Sequence, residues 1–353
     1  MLLKDNFTRE HIENLRQTGG NDPALLERTV YAFGLLEAIC RTGMPFIFKG
    51  GTSLLLLLDK PMRLSTDIDI IVPPRTDVDE YIKKAGKIFP FLSAEEDIRI
   101  GRNNIEKRHY KFLYESPVSG RNFYILLDIL FEENPYQNLT EKPIQNQLLL
   151  TDGVNISVKL PNINCILGDK LTAFAPHTTG IPFGVGKELE VIKQMYDCWT
   201  LLQNIDNLME VKQVYRVVAE KELAYRDMHL TTNDVLSDTI KSCLCLIGRG
   251  SINKNEYSFY ADGITRIRSH IFSGNFNGEK AAVYACNILY LAALLLTDKE
   301  TYYETKKSTD DENVSLKMKN AKRITYIKHI DPIAYFYLTE AYQILGNDYF
   351  VLE

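Results

Sequence analysis

The residues best able to do chemistry lie between Lys49 and Val72, in the stretch KGGTSLLLLLDKPMRLSTDIDIIV. Asp67 and Asp69 are two apart in a β-rich alternating run, 66–73. Their side chains therefore share one strand face, with Cα atoms about 7 Å apart at about 3.3 Å per residue. Two carboxylates so placed repel each other unless a cation lies between them. Hard divalent ions such as Mg2+ take such oxygen ligands and keep waters and substrate phosphates in their remaining positions. Taken alone, an Asp-x-Asp pair is more readily a solvated strand face.

Two further features add to the pair. Gly50-Gly51 ahead of a helix expected from about Thr52 lets the backbone approach an anion, and the helix N-terminus offers unpaired N–H groups to phosphate. Thr52 and Ser53 add hydroxyl donors. In the later strand NFYILLDILFEE, Phe123, Ile125, Leu127, Ile129 and Phe131 take one face, and Tyr124, Leu126, Asp128 and Leu130 the other. Asp128 is then an acid inside an apolar strand. Burying it alone costs several kcal/mol or neutralises it, at roughly the scale of other buried ions. A metal would compensate, as would a buried arginine or backbone donors.

The combination is more specific than its parts. Gly-Gly-Thr-Ser, thirteen residues, Asp-Ile-Asp and a later strand with a central Asp resemble the DNA polymerase β nucleotidyltransferase superfamily. More narrowly, KGGTSL, RLSTDIDI and the downstream helices resemble the AbiEii/MenA-type nucleotidyltransferase toxins of bacterial toxin–antitoxin and abortive-infection pairs. Arg63-Leu64-Ser65 before the acids suits that subfamily. A second match is CILGDKLTAFAPHTTGIPFGVGKELEVIKQMYDCWTLL, residues 165–202. There Lys170 leads the first element, and Lys193 and Asp197 stand four apart in the second, on one helical face. Gln194 departs from the acid usual after that lysine.

The resemblance implies a fold and a reaction. The fold is α+β: a polymerase β-like mixed sheet with flanking helices (1–160), then a helical domain (161–353). The reaction is transfer of a nucleoside monophosphate from an NTP, with release of pyrophosphate. Two Mg2+ ions about 3.5–4 Å apart, or Mn2+ in their place, would stabilise the attacking and leaving oxygens. Asp67, Asp69 and Asp128 would hold them. Lys49, Gly50, Gly51, Thr52, Ser53, Arg63, Lys170 and Lys193 would bind the nucleotide, and Asp197 would serve the acceptor or act as base. Arg63 has a plain reading as a structural partner of Asp67 or a surface residue. Lys170 has one as a surface lysine, and Lys193–Asp197 one as an ordinary ion pair.

The implied acceptor is RNA, the 3′ end of tRNA. Phosphate contacts need basic surface, and two clusters qualify: Arg99, Arg102, Lys107, Arg108 and Lys111, and Lys317, Lys319, Lys322, Arg323 and Lys328 with Tyr326. Each also suits a solvated charged face. The implied partner is a cognate antitoxin protein or antitoxin kinase, and phosphorylation of Thr52 or Ser53 would block the triphosphate by charge repulsion. A small-molecule nucleotidyltransferase, with an acidic pocket beside the metal, and a non-catalytic nucleotide-binding module are the competing readings.

The elements that must position these residues follow from periodicity. Helices are expected at 22–43, with Asn21-Asp22-Pro23 as its start and Gly43 and Pro45 as its end, and at 78–89. Strands are expected at 66–73, 94–100, 106–114, 122–131 and 154–160. From 164 on the pattern is helical: 164–175, 187–204, 208–223, 231–246, 259–272, 278–297 and 332–345, with 299–315 exposed. The composition is that of an ordinary soluble protein: 353 residues, 45% hydrophobic, 25% charged. A net charge of -5 excludes a global basic coat. Six scattered cysteines without a C-x-x-C pair point to reduced thiols, not zinc or disulfides. The run 281–296, interrupted by Asn287, is shorter than the roughly 20 residues of a bilayer span and is expected to be a buried helix. MLLKDNFTREHIEN has no apolar signal region, and the expected location is cytoplasmic.

Overall fold

The computed structural model describes residues 1–98, 106–272, 274–297, 316 and 321–350. Among these the chain divides into two compact units, Met1–Asn162 with Ser269–Gly274, and Ile163–Arg268 with the chain from Asn275.

The first unit is built on a five-stranded sheet. Its strands are β1 (Ile47–Lys49), β2 (Ile68–Val72), β3 (Ser93–Glu96), β4 (Lys107–Glu115) and β5 (Asn122–Phe131), in the order β1-β2-β5-β4-β3. β2 and β5 are parallel, and the other pairs are antiparallel. A second, two-stranded sheet joins β6 (Leu139–Pro143) to β7 (Ser157–Pro161). β6 was not expected: LTEKP alternates too weakly to read as a strand, and its pairing with β7 makes it one.

The helices of this unit are α1 (Arg9–Gly19), α2 (Pro23–Thr42), α3 (Gly50–Leu57) and α4 (Asp79–Ala85). The Asp22 side chain accepts from the N–H groups of Ala24 and Leu25, Pro23 opens α2, and Gly43 closes it at φ +80, as the cap signals predict. α3 begins at Gly50, not near Thr52. α2 packs on β2, β5 and α4, and Val30, Phe33, Ile70, Ile125, Leu127 and Ile129 are buried. One face of the sheet is therefore core. The other stays half open, which is what gives β5 its alternating burial.

The segment 269–274 belongs with this unit, although it was expected to end a helix. Its backbone pairs with the stretch before β2: Arg63 bridges Ile271, and Leu64 N–H donates to the His270 carbonyl at 2.7 Å. The Asn21 amide also donates to the Ile271 carbonyl, at 2.9 Å.

The second unit is helical: α5 (Ile163–Ala173), α6 (Glu188–Leu202), α7 (Leu208–Tyr225), α8 (Thr232–Gly248), α9 (Lys254–Ile267), α10 (Gly278–Leu296), α11 (Ile327–Ile330) and α12 (Pro332–Leu345). α9 starts five residues before the expected 259, because Asn253 caps it by accepting from Glu256 N–H. α10 is long and apolar enough to cross a membrane by length and composition. It is instead packed by α8, α12 and α6, with Asn287 bonded to the Val283 carbonyl. All six cysteines are free thiols, and Cys165, Cys198, Cys243, Cys245 and Cys286 are buried. The polar stretch 299–315, and Arg99, Arg102, Lys317 and Lys319 of the basic clusters, lie outside the described residues.

Candidate active site

Asp69 is the second residue of β2. Its in-register partner on β5 is Asp128, and the partner of Asp128 on β4 is His109. Parallel neighbours stand about 4.8 Å apart, so two acids and an imidazole make one row across three strands. The His109 Nδ1 to Asp128 Oδ1 distance is 2.7 Å. His109 escaped the sequence reading, since nothing along the chain announces which residue of β4 faces Asp128. Its spacing before the Ser119-Gly120-Arg121 turn was the one available signal. Asp128 lies on the open face with its side chain 35% exposed. The expected cost of burying it therefore does not arise, and its partner is a histidine rather than an arginine.

Asp67 precedes β2 by one residue. One of its oxygens is 3.6 Å from Nη2 of Arg28 on α2, a partner that no local pattern indicated. Its carbonyl accepts the Thr52 hydroxyl at 2.5 Å. The Ser53 hydroxyl donates to the Gly50 carbonyl at 2.8 Å, and both residues are wholly buried. These hydroxyls brace the turn against the acids instead of standing ready for phosphate, as expected of them. A kinase acting at either must first draw the turn open.

The two glycines are needed for different reasons. Gly50 has φ +79, and a Cβ there would stand 1.9 Å from Asp69 Oδ2. A Cβ at Gly51 would lie 2.7 Å from Arg63 Nη2. Arg63 is buried at 7% exposure, and its Nη1 donates to the Leu64 carbonyl at 3.0 Å. It is thus a guanidinium laid along the glycine turn, not a surface residue. Lys49 is in register with Asp69 and lies over the Tyr136 ring at 5.7 Å.

Two carboxylates on adjacent strands and a third one residue before β2 are hard-oxygen donors of the kind Mg2+ takes. Among the described residues no three His, Cys, Asp or Glu side chains are gathered into a ligand cluster. Asp67 is turned to Arg28 and Asp128 to His109. The set fits a divalent ion in chemistry and backbone placement, with the acids directed to separate partners.

Lys170, Lys193 and Asp197 belong to the second unit. Lys170 on α5 is buried, with Nζ 2.9 Å from Asp197 Oδ2 and 3.0 Å from Gln194 Oε1, both on α6. It is not a surface lysine. Gln194, where an acid was expected, keeps an acceptor for Lys170 without a second buried charge. Asp197 is 1% exposed, which suits orienting Lys170 better than contact with an acceptor. Lys193 is half-buried on the same helix.

In the described part of the first basic cluster, Arg108 and Lys111 are paired with acids. Arg108 is 2.8 Å from both Asp79 and Glu96, and Lys111 is 2.7 Å from Asp97. Of the second, Tyr326 donates its hydroxyl to the Ile247 carbonyl at 2.6 Å and is packing rather than surface. Lys322 and Lys328 are exposed.

A mixed sheet with paired acids on neighbouring strands and a double-glycine turn at their side defines a nucleotidyltransferase core. The family model described as "Nucleotidyl transferase AbiEii toxin, Type IV TA system" matches residues 35–258. The chain belongs to this family and is a nucleotidyltransferase of the toxin–antitoxin class. Among solved structures it is similar to JHP933 from Helicobacter pylori, at 13% identity and a TM-score of 0.43, covering 77% of this chain and 94% of that one. It is also similar to a second H. pylori chain, an inferred nucleotidyltransferase, at 14% identity and a TM-score of 0.42, covering 77% and 96%. No curated protein matches the chain.

Proposed function

We propose that this toxin transfers a nucleoside monophosphate from an NTP to the 3′ end of an RNA, of the tRNA class, with a divalent cation held by Asp67, Asp69 and Asp128. The observation that carries the reading is the in-register Asp69–Asp128 pair beside the Gly50–Gly51 turn. The acceptor oxygen attacks the α-phosphorus and forms the new P–O bond. The bond from the α-phosphorus to its bridging oxygen breaks, pyrophosphate leaves with the electron pair, and the hydroxyl proton passes to solvent. When bound, the cation neutralises charge on the phosphates and lowers the pKa of the attacking hydroxyl.

The chain's own groups do the positioning. Main-chain N–H groups at the start of α3 receive phosphate oxygens, and Thr52 and Ser53 keep that turn rigid. Within the first unit Arg63 balances phosphate charge and Lys49 completes the nucleotide-binding set; within the second, Asp197 with Gln194 orients Lys170, which with Lys193 is the cationic pair of that unit. Family membership implies an NTP substrate and an antitoxin counterpart.

The test incubates purified protein, Mg2+ and each α-32P-labelled NTP with total tRNA, comparing wild type with Asp69→Asn. The expected result is label in RNA with wild type alone, lost on adding EDTA. NTP binding without label from any nucleotide would overturn the RNA reading.

A further inference from the structure

With Arg108 and Lys111 occupied by acids, the described part of the first basic cluster supplies little net charge to attract an RNA backbone. Affinity for a single strand then needs another source, and aromatic stacking is the general one, because every base has a π-face. The open face of the sheet carries such a group. Along β5, Leu130, Leu126 and Tyr124 share the face of Asp128, and from β4 His109, Lys111 and Leu113 do so. Tyr124 is 42% exposed, and among the described residues its phenol forms no hydrogen bond. Lys111 Nζ lies 5.2 Å from the centre of its ring while bonded to Asp97 at 2.7 Å. The cation, tethered on one side, braces one part of the ring.

We propose that Tyr124 is the stacking platform for a base of the single-stranded 3′ end of the RNA acceptor, upstream of the nucleotide that reacts. Tyr124 is four residues from Asp128 on one strand face, about 13 Å at about 3.3 Å per residue. A stacked strand rises about 3.4 Å per nucleotide, and an extended one roughly twice that. The separation is about two to four nucleotide steps at these rises, so with the reacting nucleotide as the first, the base on Tyr124 is between the third and the fifth from the end. This explains why a protein of net charge -5 can hold an RNA end: contact is with bases on an open sheet face, and salt dependence is shallow. The inference rests on the proposed RNA acceptor.

The test uses the full-length protein and short RNA oligonucleotides with 2-aminopurine placed in turn at each of the last five positions. Wild type should quench the probe most at one position from the third to the fifth. Tyr124→Ala should remove that quench and weaken binding about five- to a hundredfold, the range of one stacked base. Tyr124→Phe should restore both, and Tyr124→Leu should fold equally well but restore neither. Quenching and affinity unchanged in Tyr124→Ala, or restored by Tyr124→Leu, would overturn the proposal while leaving the RNA reading intact if wild type still labels RNA. Failure of wild type to bind or label any RNA would overturn both. Tighter binding of a protein partner than of RNA, lost in Tyr124→Ala, would reassign the face to a protein and overturn the proposal.

Discussion

The Asp69 carboxylate fills the space where a side chain at Gly50 would be: a Cβ there would stand 1.9 Å from Oδ2, and the backbone at Gly50 has φ +79. The acid and the turn beside it are therefore a single steric unit. The motif needs glycine at this position for room as well as for backbone conformation.

Gly50→Ala should be among the most damaging small substitutions in the chain. The left-handed backbone alone costs about 1–2 kcal/mol, and Asp69 must move as well. Nucleotide transfer should fall at least about a hundredfold, a loss of roughly 2.7 kcal/mol in transition-state stabilisation, with a lowered Tm. Gly51→Ala, whose Cβ meets the movable end of Arg63, should keep more activity. Side-by-side kcat and melting measurements check the order; equal activities would show that Asp69 relaxes freely.

Thr52→Val should cost about 1 kcal/mol by leaving the part-buried Asp67 carbonyl without its donor, and Thr52→Ser should recover most of it. Chemical denaturation reads this directly. A Thr52→Val protein as stable as wild type would mean that the carbonyl finds another partner.

Asp197→Ala should destabilise the protein by about 3–5 kcal/mol, because it leaves the Lys170 charge buried and uncompensated. The double change Lys170→Met/Asp197→Leu should regain most of that stability yet stay inactive. Stability restored together with activity would confine the pair to a structural role.

His177 provides a pH-dependent contribution. Its Nδ1 is 2.7 Å from Asp238 Oδ1, and its Nε2 is 3.5 Å from Glu256 Oε2. The Asp238 hydrogen bond raises its pKa, against desolvation and the charge of Lys241. Because the folded value is raised, the stabilisation is complete below the unfolded pKa, about 6.5, and is lost as pH rises through the folded value. The ring is half exposed, so the effect should stay under about 1 kcal/mol. His177→Asn should lower Tm at pH 6 and not at pH 9; a constant difference across that range would exclude protonation as the cause.

Much of this protein was legible along the chain. The Asp67–Asp69 spacing, the double glycine, the alternation of β5 and the capped helix α2 are local patterns, and local sterics and hydrogen bonding settle them. What lay beyond reach was register and pairing. No run of residues states that β2 lies parallel to β5 with Asp69 opposite Asp128, that His109 falls opposite that acid, or that Arg28 on α2 reaches Asp67. A one-residue slip of register would turn every side chain of a strand to the other face, so these neighbours exist only once the sheet has formed. The same holds for charge. Arg108 and Lys111 read as a basic track until Asp79, Glu96 and Asp97 are folded against them. The alternative reading of Lys170 as a surface lysine falls away once α5 and α6 close on its ammonium. The sequence by itself determined which groups could do chemistry; the tertiary structure decided which of them meet, because long-range contacts are set by packing and not by spacing along the chain.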